Sequence, residues 1–175
     1  MGKKVAVLAV NPVNGAGLFQ YLEFFFENGI SYKTYAVADT KGIKTNSGVR
    51  LVLDDVIADL KGKEDDFDAV VFSCGDAIPT FRDNMNKPYY QDMLAVLKTF
   101  GEKGKFVAGH CAAAMMFESV GIADGKKLAI HPYGKQAIHK AIASDEQIEV
   151  DGNFYTAQTE NAIPKLLTEL LKVLK

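Results

Sequence analysis

The sequence holds two cysteines, Cys74 and Cys111, and three histidines, His110, His131 and His139. Any nucleophilic or thiol redox chemistry must be built on them. Cys111 lies in Gly-His-Cys-Ala-Ala, residues 109–113. This is the pattern of a nucleophile elbow, in which a strand turns so sharply into a helix that only small side chains fit two residues either side of the reactive one. An elbow also puts the thiol near free backbone amides, which favour thiolate. A free cysteine is just as commonly a small buried apolar residue, so the surrounding elements must decide. His110 immediately precedes the thiol on a strand, so its side chain points to the opposite face; it reads as a packed or hydrogen-bonded histidine. His139 reads as a surface residue on a helix after Gly134.

The elements that would position Cys111 are legible as apolar runs. "KVAVLAV" (4–10), "DAVVFSC" (68–74) and "KFVAGHC" (105–111) are apolar on both faces, as in buried parallel strands. "ISYKTYAVAD" (30–39) alternates as a further strand, followed by a "VRLVLDD" segment and a short helix. Helical spacing in "GLFQYLEFFFENG" puts Leu18, Leu22, Phe25 and Phe26 on one face, with Asn28-Gly29 as the stop. A second helix begins at Pro88, turns Met93, Leu94 and Leu97 inward, and ends at Gly101. "KKLAIHP" (126–132) predicts a strand, "QIEVDGNFYTAQ" a hairpin about Asp151-Gly152, and "AIPKLLTELLKVLK" a closing amphipathic helix that packs on its own sheet. The alternation predicts an α/β fold, a single domain over 1–175 with a doubly wound, mostly parallel sheet and helices on both faces. In such sheets ligands bind beyond the carboxyl ends of the strands, where Cys74, Cys111 and the "NPVNGAG" loop (11–17) converge.

The bulk numbers exclude several classes. The 175 residues are 48% hydrophobic and 24% charged, enough for one buried core. A formal charge of -2 with scattered lysines argues against a nucleic-acid partner. No run approaches the roughly 20 apolar residues of a membrane span, so a cytoplasmic protein with no membrane partner is expected. Two cysteines are too few for a disulfide framework and lack zinc-site spacing, so no metal site is expected. No cofactor is expected either: "NPVNGAG" joins a first strand to a first helix as a phosphate loop does, but lacks the Ser/Thr pattern of one.

From "KKVAVLAV" to the last helix, the chain resembles the ThiJ/PfpI family of the class I glutamine amidotransferase-like superfamily. The resemblance is carried by "DAVVFSCG", "GKFVAGHCAAAMMFESVGIADGKKLAIHP" and "VDGNFYTAQ". It implies a flavodoxin-like fold, a homodimer, and Cys111 as elbow nucleophile or redox thiol, with the amides of Gly75 and Ala112 as oxyanion donors. His131, at the end of its own strand, matches a histidine that accompanies the thiol in one branch. Three departures stand out. Gly17 or a neighbour stands where the family commonly holds a glutamate against the cysteine. Cys74 replaces the first glycine of a Gly-Gly turn, with Asp76 the nearest acid but wrongly spaced. The usual Arg-Gly-Pro-Gly turn is "QTEN". A standard Cys-His-Glu triad is thus not supported.

Two readings follow. In one, Cys111 and His131 serve a cysteine hydrolase, protease-type or stress-response thiol enzyme acting on small electrophiles, peptides or damaged side chains. In the other, the fold persists as a chaperone-like or small-ligand-binding module without the catalytic acids. Cys74 and Cys111 end neighbouring strands, so they could also form a redox pair or hold a soft metal near His131 or Asp76. The Phe24, Phe25, Phe26 cluster exceeds one helix face and suits a dimer contact.

Overall fold

A computed structural model describes residues 2–175. The apolar runs form the middle of a seven-stranded sheet. Strands β1 (Lys4–Val10), β2 (Ser31–Val37), β6 (Ala69–Ser73) and β7 (Phe106–His110) are joined by helices α1 (Gly15–Glu27) and α2 (Pro88–Glu102). Two short strands, β3 (Gly42–Lys44) and β4 (Arg50–Val52), form a hairpin of their own, and β5 (Asp55–Val56) closes one edge of the sheet. After β7 come α3 (Ala113–Ser119), β8 (Lys127–Ala129), β9 (Ile142–Ser144), β10 (Ile148–Asp151), β11 (Phe154–Ala157) and α4 (Ile163–Leu174). The sheet order is β10-β11-β7-β6-β1-β2-β5, parallel throughout except for the β10–β11 hairpin.

Both faces of the sheet are dry, as the two-sided apolar runs require. On β1, Ala6, Leu8 and Val10 pack beneath α2 and α3 with Met93, Leu97, Phe100 and Phe117. Val5, Val7 and Ala9 pack beneath α1 and α4 with Leu18, Tyr21, Phe25, Leu166 and Leu170. The chain runs from β1 outward to β2 and β5, then returns to β6 on the other side of β1. The order therefore reverses between β1 and β6, and a crevice opens beyond their carboxyl ends.

Several elements differ from expectation. Phe26 is 75% exposed, because helix α1 turns Tyr21 rather than Phe26 onto the sheet; Leu22 and Leu94 are only half-buried. "KKLAIHP" does supply a strand, but β8 pairs with β9 in a separate two-stranded sheet. Both edges of β11 are already taken by β10 and β7, so β8 is tied to it through a side chain instead: the Ala129 amide donates to Thr156 Oγ1 at 2.8 Å. His139 is exposed but stands after a 3-10 turn (Pro132–Ala137), not on a helix. Among the described residues, no helix is long and apolar enough to cross a membrane.

The passage from β7 into α3 has the geometry of an elbow. Cys111 has φ of +59°, a left-handed conformation that is uncommon for a residue with a side chain. A Cβ placed on Gly109 would lie 2.4 Å from the Ala113 Cβ and 3.0 Å from the Phe72 carbonyl oxygen. The two small residues are therefore requirements of the turn. Gly109→Ala should lower unfolding stability by about 1–3 kcal/mol, the range for overpacking a dense site, read as a lower denaturant midpoint with unchanged m-value.

Candidate active site

The Cys111 backbone is held on both sides. Its amide donates to the Ala157 carbonyl at the end of β11 (3.1 Å), and its carbonyl accepts from the His131 amide (3.2 Å). These bonds come from elements far along the chain and fix the left-handed residue in place. The half-buried thiol faces a cavity of about 370 Å³ at the reversal point, lined by residues following β1, β6 and β7, including Asn14, Cys74, Asp76 and His110, with His131 and Glu160 on its rim.

Four groups govern the thiol. The Cys74 thiol, the Tyr133 hydroxyl and the Ala112 amide surround the Cys111 sulfur as potential donors; their effect, Cys74 first, brings its pKa down to about 7 against the opposing effects of burial and the Glu160 carboxylate. Cys74 is pushed the other way, first by its bond to Cys111 and then by burial. The pair therefore carries its charge on Cys111, with Cys74 as the S–H donor. Tyr133 is raised to about 12, mainly by burial of the phenol and by the two sulfurs, so it stays protonated and donates.

The sequence-derived assignments fall out unevenly. Cys111 and Cys74 do share one cleft. The amides of Gly75 and Ala112 both act on the Cys74 thiol, and the Ala112 amide acts on Cys111 as well. Cys74 stands where the family pattern has a glycine, and its side chain lies beside the amides expected to receive an oxyanion. Gly75 itself is obligatory: an added Cβ would lie 2.3 Å from the Pro12 carbonyl and 2.5 Å from the Val13 Cα, both backbone. His131 reaches the cavity without hydrogen-bonding the thiol. Its Nδ1 accepts a long 3.4 Å bond from the Tyr133 amide, and its ring packs 4.4 Å from the Tyr133 ring. The histidine thus holds the tyrosine that contacts sulfur. Asp76 is exposed on the rim, its amide bonded to Asn46 Oδ1 at 3.0 Å. Among the described residues, no cluster of three or more His, Cys, Asp or Glu side chains is placed to hold a metal ion.

His110 points to the α1 side of the sheet, toward Tyr21, and its ring also borders the cavity that Cys111 faces. It is buried and shares a 2.9 Å hydrogen bond with the Tyr21 hydroxyl. A Cβ on Gly17 would lie 2.6 Å from its Nε2 and 2.7 Å from Asn14 Oδ1. The imidazole therefore fills the space in which a longer residue at position 17 would stand, and the family's glutamate has no room here. Tyr133, Glu160, Asn14 and Asn46 are site residues that sequence patterns did not single out. Only the placement of Tyr133 two residues after His131, and the acid within "QTEN", could have pointed to any of them.

Two outcomes follow from these environments. Alkylation of Cys111 by iodoacetamide should accelerate with rising pH about a midpoint near 7, since thiolate is the reactive form; in Cys74→Ala the midpoint should move up toward the ordinary thiol value of about 8.5. An unchanged midpoint would remove Cys74 as the principal donor. Burial lowers the His110 pKa from 6.5 to about 4. Between those values the unfolded chain takes up a proton that the folded chain refuses, so stability falls as pH drops through this window. The loss is roughly 3 kcal/mol, and urea unfolding of His110→Gln should lack this component of the acid slope.

Comparison with known proteins agrees with this geometry. The family model described as the DJ-1/PfpI family matches residues 3–173. Protein ppBat of Bacteroides thetaiotaomicron is 65% identical over 175 residues, covering all of both chains. A crystal structure from the same organism, named as a candidate protease I, superposes with a TM-score of 0.98 at 65% identity, covering 99% of each chain. A DJ-1 superfamily protein from Salmonella typhimurium shares the fold at a TM-score of 0.85 and 20% identity, over 98% of this chain and 90% of its own. The elbow, the strand order and the match along nearly the whole chain lead to one assignment: the protein belongs to the DJ-1/PfpI family.

Proposed function

We propose that the protein is a thiol enzyme in which Cys111 adds as thiolate to small electrophiles. The observation that carries this reading is the set of three donors on the Cys111 sulfur, which holds the nucleophile in its reactive form near neutral pH with no base bonded to it. The cavity's size suits a small molecule. On addition to a carbonyl, the Cys111 sulfur–carbon bond forms as the carbonyl π pair moves to oxygen, and Tyr133 or solvent supplies the proton.

The name of the Bacteroides relative suggests peptide hydrolysis, and a groove of about 630 Å³ lined by Phe81, Met85, Met115 and Met116 adjoins the cavity through Pro79 and Tyr133. Against hydrolysis stand the Cys74 side chain beside the Gly75 and Ala112 amides and, among the described residues, the absence of a thiol–imidazole bond. A panel of small aldehydes, activated esters and peptides decides between the readings. Cys111→Ser should abolish turnover of the small electrophiles, and Tyr133→Phe should slow it about tenfold or more, the loss expected when one positioned donor goes. Equal turnover by Cys111→Ser and wild type would sink the proposal and leave the ligand-binding or chaperone-like module. Peptide cleavage that depends on Cys111 would move the assignment to a protease.

A further inference from the structure

The second cysteine acts in that addition only as a donor toward Cys111, yet it occupies a protected position in the site. The β6–β7 ladder pairs Phe72 with Gly109; Cys74 and Cys111 each lie two residues beyond that pair and line one cavity. Adjacent strands lie about 4.8 Å apart, inside the Cα separation of about 4.4–6.8 Å that a disulfide tolerates. Both cysteines line the same cavity, and each shifts the titration of the other. Their exposure divides them: Cys74 is 2% exposed, beneath the rim, while the Cys111 thiol opens on the cavity. An oxidant entering the cavity meets Cys111 first and finds Cys74 directly behind it.

We propose that Cys74 is a resolving cysteine, and that the protein reduces small hydroperoxides by cycling between the Cys74, Cys111 dithiol and a Cys74–Cys111 disulfide. This rests on the reading of Cys111 as the reactive thiol. In the first step the Cys111 sulfur attacks the terminal peroxide oxygen. The O–O bond breaks, Cys111 becomes a sulfenic acid, and the departing alkoxide or hydroxide takes a proton from Tyr133 or solvent. In the second, the Cys74 sulfur attacks the Cys111 sulfur; the S–S bond forms, the S–O bond breaks, and hydroxide leaves as water with the proton of Cys74. Two thiols supply the two electrons that reduce one peroxide to an alcohol and water. An external dithiol reductant then restores both thiols.

The site favours the second step. Cys74 attacks as its proton passes to the departing hydroxide, and the Gly75 and Ala112 amides beside its sulfur partly offset the burial that disfavours charge there. Because a thiol stands against Cys111, its sulfenic acid is captured before a second peroxide carries it to sulfinate. The residue that replaces the family's glycine thus supplies the chemistry that separates this chain from a single-cysteine site.

The test uses the whole protein treated with a small excess of hydrogen peroxide or tert-butyl hydroperoxide, then mapped without reduction. Wild type should lose about 2 Da and yield a peptide pair joining Cys74 to Cys111, reversed by dithiothreitol, whereas Cys74→Ser should gain about 16 and then about 32 Da on Cys111. Sulfinate should be at least tenfold lower in wild type than in that variant. With dithiothreitol present, wild type should consume many equivalents of peroxide, and Cys74→Ser should be inactivated within a few. Sulfinate on Cys111 of wild type, with no Cys74–Cys111 peptide, would overturn the proposal whether or not the variant folds. If Cys111 still alkylates fast at pH 7 in that protein, only the resolving role fails; if it is inert to both alkylation and peroxide, the underlying reading of Cys111 fails with it.

Discussion

The left-handed backbone at Cys111 is the constraint on which the site rests. A non-glycine residue at φ of +59° is held there only because its amide and carbonyl are bonded to Ala157 and His131. Each of those partners is delivered by a different part of the fold. Ala157 ends β11, which must run parallel beside β7 to offer its carbonyl. His131 follows β8, which is hung from Thr156 of β11. The β10–β11 hairpin, remote in sequence from the thiol, is thus part of what aims it, and the parallel sheet is the frame that brings these segments to one end.

Around that fixed point the site differs from its family's pattern by exchanges of volume. Where the pattern has a glutamate on the first helix, this chain has Gly17, and the imidazole of His110 takes up the room from the neighbouring strand. Where the pattern has a glycine after β6, this chain has Cys74, whose sulfur lies beside the Gly75 and Ala112 amides. The first exchange removes a carboxylate that would share a proton with the thiol. The second brings in a thiol that shares one instead. Protein interiors pack too densely for either change to stand alone: His110 needs Gly17, and Gly75 must stay glycine because the loop after β1 passes directly over it.

What was legible in the sequence was what depends on local pattern. Apolar runs on both faces gave the parallel strands, and Gly109, Cys111 and Ala113 gave the elbow because sterics two residues either side of a sharp turn act locally. The convergence of Cys74 with Cys111 followed from strand order, and the direction of His110 from strand alternation. Tyr133 was not legible, since its hydroxyl reaches the sulfur through the course of a 3-10 turn with no periodicity to read. The burial of Tyr21 in place of Phe26 was missed because three consecutive phenylalanines leave the helix phase ambiguous. Asn46 comes from a hairpin turn whose strands are three residues long, too short for an alternation signal.

Among the described residues no base is bonded to the thiol, and this decides which reactions the site suits. A base raises the thiolate fraction by removing the proton and afterwards holds it ready for a leaving group; the Cys111 donors achieve the first effect but store no acidic proton. Tyr133, at about 12, readily protonates an alkoxide or hydroxide, which are stronger bases than its own phenolate, but it is a weak acid toward a departing amine. Peptide cleavage needs that amine to leave as a neutral group, whereas addition to an aldehyde expels nothing and attack on a peroxide expels an oxyanion. The site is therefore sorted by leaving group, and Cys74, as the principal donor on Cys111, stands within reach of whatever sulfur–oxygen species such an attack creates.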